Sequence, residues 1–181
     1  MRVARRTEET TLSSYRVMSL DISYRNTGGC VMRVDDDCPT ILETFCLENP
    51  KMEFGFDGMF DAHKAMRRTI LEAYRKALLL DVHVMILEMP CYTQDAKSAL
   101  AIGLCWGEIA CIDNLLLVDP TALKKWSGSK RGDGKAEVKA AVMNRATLSA
   151  KDLSNDNIVD AVGLSLLFVD TVKRNKLPWI P

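Results

Sequence analysis

The sequence predicts an α/β protein, one mixed five-stranded sheet with helices on its faces. Two observations predict it. Three short apolar runs rich in β-branched residues, at 16–22, 29–34 and 40–47, follow one another with turn residues between them. Beyond them, stretches with apolar residues at helical spacing alternate with apolar runs too short for helices. The order β-β-β-α-β-α-β-α-α is a meander continued by helix-linked strands. There is no internal repeat and no composition break that marks a second domain. Residues 1–14 read as a flexible arm and 15–181 as a single domain.

Val17, Met18, Leu20 and Ile22 form the first strand, and Asp21 sits inside that run. A carboxylate on a core strand is costly to bury unless it is paired or meets a cation. Taken alone, it also suits a strand-end aspartate bonding its turn. Arg25 to Gly29 is turn chemistry, and 29–34 is the second strand. Asp35, Asp36 and Asp37 would diverge in an extended turn, so they read as a solvated reversal rather than a metal site. Thr40 to Leu47 is the third strand. From Asp57 or Asp61 to Leu80, Ala62, Ala65, Met66, Ile70, Leu71, Tyr74, Ala77 and Leu78 recur at helical spacing, with Arg67, Arg68, Arg75 and Lys76 on the solvated face. Val82 to Glu88 is a buried strand stopped by Met89 and Pro90, and His83 reads as a satisfied core or edge histidine. Asp95 to Ile112 is a helix whose many Ala and Gly residues allow close packing. Leu115 to Val118 is the fifth strand. Asp119 and Pro120 open a short helix to Trp126. Ser127 to Gly134 is a basic loop, Lys135 to about Arg145 a helix, Ser149 to Asn155 a polar connection, and Asp156 to Lys173 the last helix.

Composition narrows the function classes. Hydrophobic residues make up 48% and charged residues 27%, the balance of a globular protein. Lys plus Arg and Asp plus Glu are 24 each, so any surface for nucleic acid must be local. No apolar run is long enough to span a bilayer. The six cysteines form no CxxC pair and mostly lie in apolar runs, and there are only two histidines. This points to reduced, buried thiols in a reducing compartment, the cytoplasm of a bacterium or virus-infected host cell, and away from a structural zinc site. The basic Met1 to Arg6 runs into Glu8 and Glu9 with no apolar segment behind it; a short organelle-targeting sequence is the alternative reading.

Three acidic positions fall where this architecture gathers residues: Asp21 on the first strand, Glu88 at the carboxyl end of a later one, and Asp160 near the start of the last helix. Helical spacing puts Asn157 on the same face as Asp160, with Asp156 close by. Gathered carboxylates repel and need cations. Mg²⁺ suits them, since it takes a few carboxylates together with water and substrate phosphate. Two such ions about 3.5–4 Å apart activate water and stabilise the leaving oxygen in phosphodiester cleavage.

At these residues the chain resembles the RuvC-type Holliday-junction resolvases, nucleases of the RNase H-like, retroviral-integrase superfamily. Leu20 to Gly28 is similar to the first family motif, an apolar strand, Asp, then a turn ending Asn-Thr-Gly. Leu87 and Glu88, followed by Ser98, Ala99, Leu100, Gly103 and Gly107, resemble the second. Pro120, Leu123 to Lys125, Gly128 and Lys135 to Val138 resemble the basic third region, and Asp160 and Ala161 with an apolar helix behind them the last. The match spans about residues 16–170.

The resemblance implies an RNase H-like fold and a structure-selective endonuclease that cuts branched DNA, a four-way junction, with Mg²⁺ (or Mn²⁺). Asp21, Glu88, Asp160 and Lys135 would be catalytic. Asp21, Glu88 and Asp160, with Asn157 and Asp156, would face the metal. Arg25, Asn26, Tyr92, Lys124, Lys125, Lys130 and Arg131 would meet DNA, and the protein would be a homodimer. Two departures stand out. Asn157 occupies a place where the family often has a second Asp, and Cys91 stands where it tends to have an aromatic, with Tyr92 adjacent. The first motivates an alternative, a weakened or inactive junction-binding protein of the same fold. An RNase H-like ATPase or sugar kinase is disfavoured, because a second glycine-rich phosphate motif is missing.

Overall fold

A computed structural model describes residues 14–23, 26–48, 56–88, 114–129 and 134–175, together with Gly103, Gly107, Ile109 and Ile112. The strands are β1 (Ser14–Ile22), β2 (Asn26–Asp35), β3 (Cys38–Glu48), β4 (Val84–Glu88) and β5 (Leu115–Val118). The helices are α1 (Phe56–Leu79), α2 (Pro120–Ser127), α3 (Lys135–Met143), α4 (Ala150–Leu153) and α5 (Asp156–Asn175). The five strands form one sheet in the order β3-β2-β1-β4-β5. The β1–β2 and β2–β3 pairs are antiparallel, and β1–β4 and β4–β5 are parallel, which is the expected mixed sheet.

Strand alternation divides the core into two layers. Val17, Cys30, Met32, Val34 and Ile86 turn toward α5, packing with its Ile158, Val162 and Leu166 and with Leu123, Val138 and Val142 of α2 and α3. Met18, Leu20, Val31, Met85 and Leu87 turn the other way, onto Met66, Ile70, Ala73 and Ala77 of α1 and onto Ile109. Because β1 is covered on both faces, its sequence is a nearly continuous apolar run. α5 is buried broadly because the sheet lies on one side of it and α2 and α3 on the other. Gly163 permits this second contact: a Cβ there would come within 2.9 Å of Leu123 Cδ1 and 3.4 Å of Val138 Cγ1. Trp126 Nε1–H donates to Asp170 at 2.8 Å, and Arg145 grips the same carboxylate, tying α2 and the end of α3 to α5.

Several boundaries differ from the sequence reading. Ser14, assigned to the arm, is the first residue of β1 and pairs with Asp35; residues 1–13 lie outside the described residues. β2 starts at Asn26 instead of Gly29. Gly28 and Gly29 belong to the ladder because neighbours come too close for a side chain, not because the chain turns there. A Cβ on Gly28 would lie 2.2 Å from the Asn157 carbonyl atoms, and one on Gly29 2.1 Å from Phe45 Cζ.

The β2–β3 reversal needs only Asp36 and Asp37, with φ of 46° and 66°. Such a tight turn leaves Asp35 in the strand, where it accepts from Ser14 Oγ–H at 2.5 Å and Arg33 Nε–H at 2.7 Å. β4 starts at Val84; just before it, His83 Nδ1 accepts from Arg16 N–H at 3.2 Å and His83 N–H donates to Arg16 O at 2.9 Å. That is the satisfied histidine expected. The polar stretch 149–155 contains α4, because Ser149 Oγ caps it by accepting from Asp152 N–H at 3.1 Å. Of the described cysteines, Cys30 is buried, Cys46 half-buried and Cys38 exposed, since β3 is the sheet edge and Cys38 opens it. The expected helix 95–112 lies mostly outside the described residues; within it Gly103, Gly107 and Ile109 are helical.

Candidate active site

The parallel β1–β4 pairing runs from Val17–Val84 to Leu20–Leu87, so Asp21 and Glu88 are the next residues on neighbouring strands. Both follow the alternation of the α5 side, Val17 and Ser19 leading to Asp21, and Ile86 leading to Glu88. They lie at the carboxyl ends of adjacent parallel strands, where α/β sheets commonly hold ligands. α5 runs over this face. The Ser19 hydroxyl donates to the Ala161 carbonyl, which brings the preceding residue, Asp160, to the same end of the sheet.

The electrostatics link the three carboxylates through Asp160. Asp21 is pushed up to about 7, by burial first and then by the charges of Asp160 and Glu88, with Lys135 opposing. Burial also raises Glu88 to about 7, helped by Asp160 and Asp119 and opposed by Lys124. Asp160 is raised to about 6, by burial first and by Asp156, while Lys135 and Lys124 lower it. This is a cluster of partly buried acids with more negative charge than its two lysines neutralise.

Among the described residues, no three His, Cys, Asp or Glu side chains converge tightly enough to form a ready-made metal site. The chemistry of the donor set nevertheless fits a hard divalent cation. It consists of carboxylate oxygens whose charged forms oppose each other, and a cation among them removes that opposition.

The other expected site residues divide into groups. Lys135 Nζ donates to Asp156 Oδ2 at 2.6 Å, so the two are paired at the rim. Asn157 Nδ2 donates to Asn26 O at 3.2 Å and lies 3.4 Å from Ser23 Oγ, pinning the start of α5 to the β1–β2 turn. Asn26 is the hub of that turn, since its carbonyl also accepts from Ser23 N–H at 3.0 Å and Ser23 Oγ–H at 2.5 Å. Asn155 Oδ1 caps the helix, accepting from the amides of Asn157 and Ile158 at 3.1 and 3.3 Å. Lys124 acts on Glu88 and Asp160, whereas Lys125 acts on Asp119. Arg25, Tyr92, Lys130 and Arg131 lie outside the described residues.

The pairing of Asn157 leads to a prediction. Asn157→Asp puts an acceptor where Asn26 O needs a donor, and is expected to cost about 1 kcal/mol in metal-free buffer. A thermal melt at neutral pH checks it, and an unchanged or higher melting temperature counts against the pin.

Sequence reasoning missed Asp119, Ser19 and Gly28. Asp119 had a signal: it directly follows Val118, which pairs with Glu88. It was read only as the opener of α2, a role it also has, accepting from Thr121 N–H at 2.7 Å.

The fold compares with known structures as follows. RuvC of T. thermophilus, solved in complex with a Holliday junction substrate, aligns with a TM-score of 0.65 at 14% identity, covering 88% of this chain and 96% of that one. The yeast mitochondrial Holliday junction resolvase aligns at 0.59 with 13% identity, covering 90% and 83%. The fowlpox virus Holliday junction resolvase aligns at 0.50 with 12% identity, covering 87% and 99%. No protein-family model and no curated sequence matches the chain. At these identities the likeness is one of fold.

Proposed function

We propose that this chain, which has the RNase H-like fold of the RuvC-type resolvases, is an endonuclease that resolves branched DNA. One observation carries the reading: Asp21, Glu88 and Asp160 come from β1, β4 and α5 to one end of the sheet, where burial raises all three carboxyls and the charge of Asp160 adds to the rise of Asp21 and Glu88. A structural role alone gives no reason to gather three partly buried carboxylates. A divalent-metal nuclease does.

Asp21, Glu88 and Asp160 would hold Mg²⁺, or Mn²⁺ in its place, with Asp156 and Asn157 at the rim. When bound, the metal supplies water activation and charge stabilisation at the leaving oxygen of a phosphodiester. The chain's own residues do the rest. Lys135, anchored by Asp156, and Lys124, on α2 beside Glu88, offer positive charge to the phosphate whose negative charge grows as the bond breaks. Arg25, Asn26, Lys125, Lys130 and Arg131 would meet backbone phosphates, which positions DNA without reading its sequence, and Tyr92 would stack on an exposed base.

A four-way junction has near two-fold symmetry, and two paired copies would offer one site to each of two strands. Gly103 and Gly107 are exposed with open space where a Cβ would stand, which suits close approach of a second copy. Among the described residues no helix is long and apolar enough to cross a membrane.

The deciding experiment is cleavage of four-way, three-way, flap and linear DNA in Mg²⁺ and in EDTA. Selective, Mg²⁺-dependent cutting of the four-way junction is expected. Tight junction binding without cutting under any divalent ion would favour the inactive junction-binding alternative.

The basic loop has its own prediction. Replacing Lys130 and Arg131 together with Ala should weaken junction binding and reduce the log–log salt slope by about 1–2 through lost counterion release. Binding titrations between low and moderate salt measure it. Equal slopes would assign this loop to solvent.

A further inference from the structure

We propose that Ser19 is a positioning residue, whose buried hydroxyl sets the register of α5 on β1 and so the approach of Asp160 to Asp21. The inference deepens the nuclease reading and rests on it. Ser19, Ser165 and Cys30 are each 0% exposed, in a layer otherwise built from Val17, Ile86, Val162 and Leu166. The hydroxyl hydrogens of the two serines are both accounted for. The Ser19 hydroxyl donates to the Ala161 carbonyl. Its single proton is then used, so Ser165, 2.6 Å away, donates to Ser19. The chain Ser165–Ser19–Ala161 thus ties α5 to β1 with both hydroxyls used as donors.

Purely apolar packing would leave the helix position less determined. Leucine and valine side chains lose little when a helix slides slightly along a strand. A buried hydroxyl loses its partner. A slip of one residue moves α5 by about 1.5 Å along its axis and breaks this chain. Ser19 stands two residues before Asp21 on the same face, and its acceptor is the residue after Asp160. Misplacement of about 1 Å at a reacting site is enough to lower a rate by up to about a hundredfold.

The test uses Ser19→Ala, Ser165→Ala and Ser19→Cys in the full chain. For each, it measures the Mg²⁺ titration of junction cleavage, the rise in melting temperature caused by Mg²⁺ without DNA, and junction affinity in EDTA. Ser19→Ala should bind the junction as the unaltered protein does. Its half-saturating Mg²⁺ should rise about tenfold, and its thermal response to Mg²⁺ should weaken. Ser165→Ala keeps the Ser19–Ala161 bond and should fall between, and Ser19→Cys should recover part of the loss. A Ser19→Ala protein whose Mg²⁺ half-saturation and thermal response match the unaltered protein overturns the proposal, whatever its overall activity. Should Ser19→Ala fail to fold, unaltered Mg²⁺ responses in the other two variants overturn it equally. An unaltered protein with neither Mg²⁺-dependent cleavage nor a thermal response to Mg²⁺ overturns the nuclease reading itself, and the register proposal with it.

Discussion

On the proposed nuclease reading, Asp21→Asn is expected to lower junction cleavage by at least about a thousandfold while leaving junction affinity within about twofold, because that reading makes Asp21 a charged metal ligand and leaves affinity to phosphate contacts. Single-turnover cleavage and a binding titration in EDTA separate the two effects. The same variant has a second signature in its stability without metal. Asp21 titrates at about 7 in the folded protein, pushed up from 3.8 by burial first and then by Asp160 and Glu88. Between those values the folded state keeps a proton that the unfolded chain has released. Stability therefore falls as pH rises from about 4 to about 7 and levels off above. Asparagine has no charge to bury and removes that loss. Asp21→Asn should accordingly match the unaltered protein near pH 4 and exceed it by up to a few kcal/mol at pH 8 in EDTA. Glu88→Gln should behave alike, with a smaller gain because Glu88 is less buried. Equal stability curves would mean that Asp21 is not the desolvated member of the cluster, and retained Mg²⁺-dependent activity would remove it from the site.

Gly28→Ala is expected to be the most damaging change that touches no charge. A Cβ at Gly28 would stand 2.2 Å from the Asn157 carbonyl carbon and oxygen and 2.7 Å from the Ile158 nitrogen. All three are backbone atoms, so no side chain can rotate away, and the first turn of α5 must lift off the sheet. Overpacking of this kind costs about 1–3 kcal/mol, or more when backbone has to move. Asp160 moves with that turn, away from Asp21, which pairs directly with Gly28 across the β1–β2 ladder. Cleavage should fall by about a hundredfold or more even in the folded fraction, with affinity for the junction changed far less. Denaturant unfolding, together with activity corrected for folded fraction, checks both parts. A protein of normal stability and rate would show that the helix start can yield at no cost.

The strands, the long α1 and the place of Asp21 were legible because they depend on local pattern. The continuous apolar run of β1 and the 3.6-residue spacing in α1 are imposed by the faces each element buries, and both appear within a dozen residues. Asp21 was conspicuous for the same reason, as a charge inside an apolar run. The resemblance to RuvC-type resolvases used these local signs and their order, and the observed fold agrees with it.

The sequence by itself therefore determined the mixed α/β sheet and which acids would stand at the ends of its strands. Only the tertiary structure decided how those acids are held. Gly28 looked like a turn residue until α5 was seen lying on it. Asn157 and Asp156 were placed on the Asp160 side by helical spacing, and the structure adds that the Asn157 amide is bonded to the β1–β2 turn and Asp156 to Lys135. The partner of Ser19, Ala161, is 142 positions away. The physical reason is common to all of them. Periodicity records which side of an element is buried, whereas close approach and hydrogen-bond pairing depend on where a distant element comes to rest against it.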